Sequence, residues 1–395
     1  MPLALLALAL GAFGIGTTEF VIAGLLPELA ADFGTSIPTA GLLVSGYAFG
    51  VVVGAPLITA AGARLPRKTM LLGLMTLFVA AHLLSALAPS YGVLMTGRIV
   101  ASFAHGAFIG IGAVVAADLV RPEKRAGAIA VMFMGLSAAN VLGVPLGTFV
   151  GQNLGWRAAF WTVTGIGVVA LIGIAALVPR GGRPDTRLRH EFAAFRDRRL
   201  WLALAMTTLG WAPVLAVVTY VAPLLTEVTG YSSAAVPWVM VLLGAGMLAG
   251  GPLGGRYADR ALMPTVYALL AAIIAVAAVL MAAAHHKIAV LAVLTLFGVV
   301  ASAAIPGLQT RVLDQATGAQ TLASAANVAA FNLGNALGPF LAGLAISTGH
   351  GYTSPLWVAA ALGASGLGIA VLSGALDRRT ARPLPEAVRE PALKA

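Results

Sequence analysis

The stretch Gly50-Val51-Val52-Val53-Gly54-Ala55-Pro56-Leu57 returns 196 residues later as Gly246-Met247-Leu248-Ala249-Gly250-Gly251-Pro252-Leu253. The register holds as far as Arg64 and Arg260. A looser second pair sets Gly143-Val144-Pro145-Leu146-Gly147 against Gly338-Pro339-Phe340-Leu341-Ala342-Gly343. Working outward, apolar runs sit near residues 3–26, 40–62, 69–88, 92–117, 127–151, 158–178, 200–224, 234–256, 264–284, 288–310, 321–346 and 354–375. Each is about 20 residues or slightly longer, the length that crosses a ~30 Å hydrocarbon core as an α-helix. Six segments therefore repeat as six segments with the same in/out sense. The expected fold is an all-α polytopic membrane protein, with twelve transmembrane helices in two pseudo-symmetric six-helix bundles.

Charge gives the expected topology. Of the 24 Lys and Arg residues, all but Arg98, Arg157 and Lys287 fall in every second gap between the apolar runs or in the C-terminal tail. Cytoplasmic loops retain Lys and Arg, so both termini and these gaps are expected inside. This distribution also explains the net charge of +10 without nucleic acid, since no basic cluster with interleaved aromatics stands outside the membrane. Only 10% of residues are charged, against about 25% in a soluble protein, so the apolar excess faces lipid. The chain has no Cys, which removes disulfides and thiolate metal sites. The start lacks a basic leader and runs through Glu19 to Pro27 at spanning length, so it is expected to be the first helix, not a signal peptide.

The one long polar stretch, 179–199, divides the chain into halves at 1–178 and 200–376, with a cytoplasmic tail at 377–395. Within it, Leu188, Phe192 and Phe195 share one helical face among charges, as in a short amphipathic helix on the inner headgroups or in a plain solvated linker.

These residues resemble a family, the major facilitator superfamily, in its drug:proton antiporter branch. Its loop 2–3 signature is half present, with Arg64, Arg67 and Lys68 matching but Ala63 where an Asp belongs and Pro66 where a Gly belongs. The second half keeps Gly255, Asp259 and Arg260 but loses the basic tail of the signature. Segment 4 carries Arg98-Ile-Val-Ala-Ser-Phe-Ala-His105-Gly106, similar to the family's intramembrane Arg motif. Segment 5, from Gly135 to Gly151, looks like the motif typical of exporters. Gly16-Thr-Thr-Glu19-Phe20, Trp156-Arg157-Ala-Ala-Phe160-Trp161 and Asn332-Leu-Gly-Asn335 look like bacterial amphenicol, sugar and purine-nucleoside exporters. The resemblance implies a cavity between the halves, lined by segments 1 and 4 among others. It also implies a gate built from Arg64, Asp259 and Arg260, with Gly143, Pro145 and Gly147 letting segments 5 and 8 approach and seal the inward side.

Ionisable groups inside a bilayer are costly and usually functional. Among 14 acids only Glu19 lies well inside a segment, about 12 Å from its outer end at 1.5 Å per residue. Arg98 stands at a similar depth in segment 4, and His105 follows two turns along the same face. A carboxyl there can hold a proton when alone and release it when a cation approaches. Glu19, Arg98 and His105 are thus the proton-coupling candidates, with a permanent Glu19–Arg98 structural pair as the competing reading. The substrate cleft should be mostly apolar with a few oriented polar groups. Its candidates are Tyr47, Phe103, Phe108, Phe133, Asn140, Trp211, Tyr220, Asn327, Phe331, Asn332 and Asn335. Helix packing competes for each of them, and the asparagines can simply join neighbouring helices.

Rival classes lack their motifs. The four lysines include none in a Gly-x4-Gly-Lys-Ser/Thr phosphate cradle, and neither Gly-x-Ser-x-Gly nor His-Glu-x-x-His occurs. His285 and His286 are adjacent without partner acids, so no metal site or other cofactor is expected. The expectation is a monomeric, non-enzymatic, proton-coupled exporter of small lipophilic compounds, amphenicol-type or multidrug, working by alternating access in a bacterial inner membrane. Export of sugars or purine nucleosides, or import by the same fold, is the alternative.

Overall fold

The computed structural model describes residues 3–62, 65–121, 124–180, 195–316 and 320–380. Among them are 12 helices long and apolar enough to cross a membrane. They are α1 (Leu3–Phe20, continuing as a tighter 3₁₀ turn Val21–Gly24), α2 (Ile37–Ala61), α3 (Arg67–Ala86) and α4 (Tyr91–Asp118). α5 runs Arg125–Ala138, passes through a π turn at Ala139–Gly143 and resumes at Val144–Leu154. Then come α6 (Trp156–Leu177), α7 (Arg198–Thr219), α8 (Val236–Arg260) and α9 (Leu262–Ala283). α10 (Lys287–Gln315), α11 (Gln320–Ala345) and α12 (Ser354–Thr380) complete the set. A short helix, Leu26–Phe33, follows α1, entered at Pro27 and ended by Gly34 at φ 61°, a left-handed stop that favours glycine.

Helix pairing repeats with the sequence. α1 packs on α5 and α6 as α7 packs on α11 and α12; α2 packs on α4 as α8 packs on α10; α3 packs on α4 and α6 as α9 packs on α10 and α12. The repeated glycines are the cause. A Cβ on Gly50 or Gly54 would overlap Ser102 or Phe103 of α4, and one on Gly246, Gly250 or Gly254 would overlap carbonyls of α10. Without a hydrophobic drive inside lipid, helices associate by close packing, and small residues permit it. The quoted repeat is therefore the seam of each bundle.

The halves meet where α2 faces α11 and α5 faces α8. One apolar cluster crosses this boundary, and its first-half members (Leu25, Leu43, Val144 and Trp156 among them) all come from the end away from the basic loops. Toward the basic end the clusters are separate. Leu8, Leu74, Phe108 and Val115 belong to one confined to the first half, and Leu200, Val312 and Ala323 to one confined to the second. Among the described residues, ion pairs at that end also stay within a half, as Arg67–Asp118 in the first and Arg311–Asp377 in the second, the latter at 2.6 Å. Among the described residues, the apolar packing between the two bundles lies at the end away from the basic loops.

Candidate functional site in the membrane

Glu19 lies one residue before the end of α1, where the backbone tightens into the 3₁₀ turn. Its side chain is buried, and its Oε1 accepts from Asn335 Nδ2 of α11 at 2.9 Å. Asn335 Oδ1 in turn accepts from Trp211 Nε1 of α7 at 2.6 Å. The carboxyl thus bridges the first half to the second. On its other side Glu19 Oε2 stands 4.0 Å from His105 Nε2, and His105 Nδ1 is 3.3 Å from the Tyr47 hydroxyl.

Arg98 does not pair with Glu19. Its fully buried guanidinium donates from Nη1 to the Thr18 carbonyl at 2.6 Å and to Thr18 Oγ1 at 3.0 Å, and from Nε to the Leu43 carbonyl at 3.5 Å. Its Cζ lies 4.1 Å over the Tyr47 ring, a cation–π arrangement. Nη2 is buried and has no acceptor. The permanent Glu19–Arg98 pair is therefore absent. The cation sits on the residue next to the carboxyl, with N–H groups in reserve.

The substrate candidates separate by position. Asn140, in the π turn of α5, and Trp211 line a small cavity between the halves, with Phe20, Val144, Leu215, Met240 and Met247. At about 30 Å³ it holds roughly one water, far below a drug-sized site of ~300 Å³ or more. Phe331 packs edge-on against Trp211, with ring centres 5.4 Å apart. Tyr220 is buried, and its hydroxyl donates to the Pro339 carbonyl at 3.1 Å, a helix-joining bond. Phe108 is buried against Gly11 in the first-half core, and Phe103 packs on Gly54, so neither lines the cavity. Phe133 is 40% exposed and Tyr47 is enclosed under Arg98. Asn327 donates to Gln309 Oε1 at 2.6 Å and Asn332 to its own helix at Val328, while the Oδ1 of each is buried without a donor.

The gating expectation is altered in this conformation. Gly143, Gly147 and Gly151 face α1, where a Cβ would meet Thr17, Val21 and Leu25. Pro145 is buried near the start of the upper part of α5, Val144–Leu154. The approach of α5 to α8 runs through Gly244, whose Cβ would stand 2.8 Å from the Asn140 carbonyl, and through Thr148, which touches Met240. That contact seals the end away from the basic loops, not the basic end. Neither the Asp259 nor the Arg260 side chain makes a hydrogen bond or ion pair among the described residues. Arg64 lies outside the described residues, as do Leu188 and Phe192 of the expected amphipathic helix. Phe195 is described, packed on Trp201.

Three further polar features lie outside the candidate site residues. His82 of α3 is buried, with Nε2 2.7 Å from Thr18 Oγ1. Arg311 is buried and donates to Ser373 and Asp377 of α12. Arg157, one of the three cations outside the basic gaps, clasps Asp32 at 3.0 Å beside Trp156 Nε1 at 2.9 Å. Trp156 and Arg157 together hold the Asp32 carboxyl below its usual range, the Trp156 hydrogen bond being the larger cause.

Comparison with known proteins settles the family. The model of the Major Facilitator Superfamily matches residues 8–327. The chain belongs to the Major Facilitator Superfamily. As such it is a membrane transporter and not an enzyme. It is 41% identical over 97% of both chains to the inner membrane transport protein YdhP of Escherichia coli (strain K12). It is 38% identical to a chloramphenicol resistance protein of Streptomyces lividans, over 94% of each chain. Its fold matches a crystal structure of a D-xylose-proton symporter with a TM-score of 0.73 at 17% identity, covering 93% of this chain and 96% of that one.

Proposed function

We propose that this transporter is a proton-coupled exporter of small lipophilic compounds, amphenicol-type compounds first, of the drug:proton antiporter branch. The observation that carries the coupling is the placement of Glu19. It is a buried carboxyl bonded across the two halves to Asn335, with Arg98 held on the adjacent Thr18. Such a group links its proton to the relative position of the bundles, because moving α11 away removes a donor from the carboxyl.

Orientation follows from charge. With the basic loops and both termini in the cytoplasm of a bacterial inner membrane, the separated ends of the bundles face inward. In that reading this is the state that collects substrate and releases a proton. The small cavity at Asn140, Trp211 and Met240 is then the closed remainder of the substrate cleft. The similarity to a chloramphenicol resistance protein supports the substrate class. Sugars and purine nucleosides are the second reading, favoured by the amide-rich face of α11.

In inverted vesicles carrying an imposed pH gradient, the wild type is expected to accumulate chloramphenicol. Glu19→Gln is expected to abolish uphill movement, leave binding nearly intact and flatten the pH dependence. Uphill transport by the Gln variant at the wild-type rate would remove Glu19 as the coupling group. A panel including pentoses and purine nucleosides decides the substrate class.

A further inference from the structure

We propose that His82, on α3, is a positioning residue that holds Arg98 on Thr18 and off the Glu19 carboxyl. The inference rests on the reading of Glu19 as the coupling group and adds a residue on a helix that does not touch the cavity.

Donor and acceptor chemistry fixes the direction of every bond in this cluster. A guanidinium only donates, so Thr18 Oγ1 accepts from Arg98 Nη1. The single hydroxyl proton of Thr18 is then free to be given to His82 Nε2 at 2.7 Å, which must be unprotonated to accept it. His82 Nδ1 lies 2.8 Å from the Phe78 carbonyl, which can only accept, so Nδ1 carries the ring proton. One neutral tautomer satisfies the whole chain. The ring is held there by Phe78, with centres 4.1 Å apart, and by Phe160 of α6 at 6.2 Å.

Removing the His82 acceptor changes what Thr18 does. A threonine hydroxyl in a helix turns readily to the carbonyl four residues back, as the neighbouring Thr17 does to Phe13 at 2.8 Å. Its lone pairs then no longer face Arg98, which keeps only the Thr18 and Leu43 carbonyls. Arg98 already keeps Nη2 without an acceptor, in a buried site where an unmet donor is costly. The nearest strong acceptor along the chain is the Glu19 carboxyl, one residue on. The groups that face Glu19 are Arg98 and His105 of α4, Tyr47 of α2 and Asn335 of α11, and of these only Arg98 brings a fixed positive charge. A cation drawn onto Glu19 makes it give up its proton at lower pH.

The test combines transport with a direct titration of the carboxyl. In purified protein, the infrared band of the protonated Glu19 carboxyl, identified by its absence in Glu19→Gln, is followed against pH. His82→Leu is expected to move its loss to lower pH by about one unit, a tenfold change in proton affinity. The alkaline limb of efflux should move with it. His82→Gln, which offers an acceptor at the reach of Nε2, should restore the wild-type curve. Arg98→Ala should move the curve the opposite way, and His82→Leu should have no further effect in that background. Thr18→Val removes the relay from the other side and gives the same acid shift, which covers the case in which His82→Leu fails to fold. Wild-type titration in folded His82→Leu or in Thr18→Val would overturn the inference, whatever transport does. Loss of coupling in Glu19→Gln together with unshifted His82 variants would leave the Glu19 reading standing and remove His82 alone.

Discussion

At the scale of single residues, the site turns on one amide. Asn335 spends its Nδ2 on Glu19 and its Oδ1 on Trp211, so it joins α1 to α7 through α11. A hydrogen bond to a carboxylate contributes about 1.5–3 kcal/mol, and about 1.4 kcal/mol is tenfold in a two-state equilibrium. Asn335→Ala is therefore expected to shift the halves about tenfold away from the state described here and to slow export several-fold. Fluorescence of Trp211, which loses its acceptor, checks the first part and vesicle efflux the second. Glu19, Arg98 and His105 were legible in the sequence because ionisable residues inside apolar runs are rare. Their partners were not. Depth along a helix follows from counting, but the direction a side chain takes depends on which helices are neighbours. So the counting that set Arg98 level with Glu19 could not show that Thr18 intervenes. His82 was silent for the same reason, being one polar residue in a helix whose neighbours were unknown.

At the scale of helices, glycine placement decides which surfaces touch. The repeated Gly50/Gly54 and Gly246/Gly250 pairs were legible as repeats, and their role is the α2–α4 and α8–α10 seams. The segment 5 glycines were read as a face for α8, yet they pack on α1, and the α5–α8 approach uses Gly244 against the backbone at Asn140 and Val141. A motif string reports that close packing occurs, not with which helix. Because the atoms that a Cβ on Gly244 would meet are backbone, the helices themselves must separate to admit one. Gly244→Val is expected to keep the halves apart at the end away from the basic loops and to lower export at least tenfold, since overpacking costs about 1–3 kcal/mol. Gly251→Val, on the same helix with no atom within 4 Å of its Cβ position, should transport normally. Matched loss in both variants would show that the α8–α5 approach is not the cause.

At the scale of the molecule, the described residues pack the halves together at the end away from the basic loops and form separate apolar clusters toward the basic end. The twelve-helix architecture and its twofold repeat were legible from apolar run length and charge alternation, because lipid imposes both on any chain that crosses it repeatedly. The state of the gate was not legible, since a sequence encodes both conformations and a structure displays one. Asp259, whose side chain has no partner among the described residues, is proposed as the group that latches the basic end in the alternate state. Asp259→Asn is expected to hold the molecule in the form described here and to slow export, with inter-spin distances across the basic ends remaining long under all conditions. The proton on Glu19 is proposed to set which end is closed. That role is tested most directly by double electron–electron resonance between spin labels on the basic ends of α4 and α10, recorded across pH in wild type and in Glu19→Gln. A pH-dependent redistribution between long and short distances is expected in the wild type, and a distribution fixed against pH in the variant. An unchanged pH response in Glu19→Gln would contradict it.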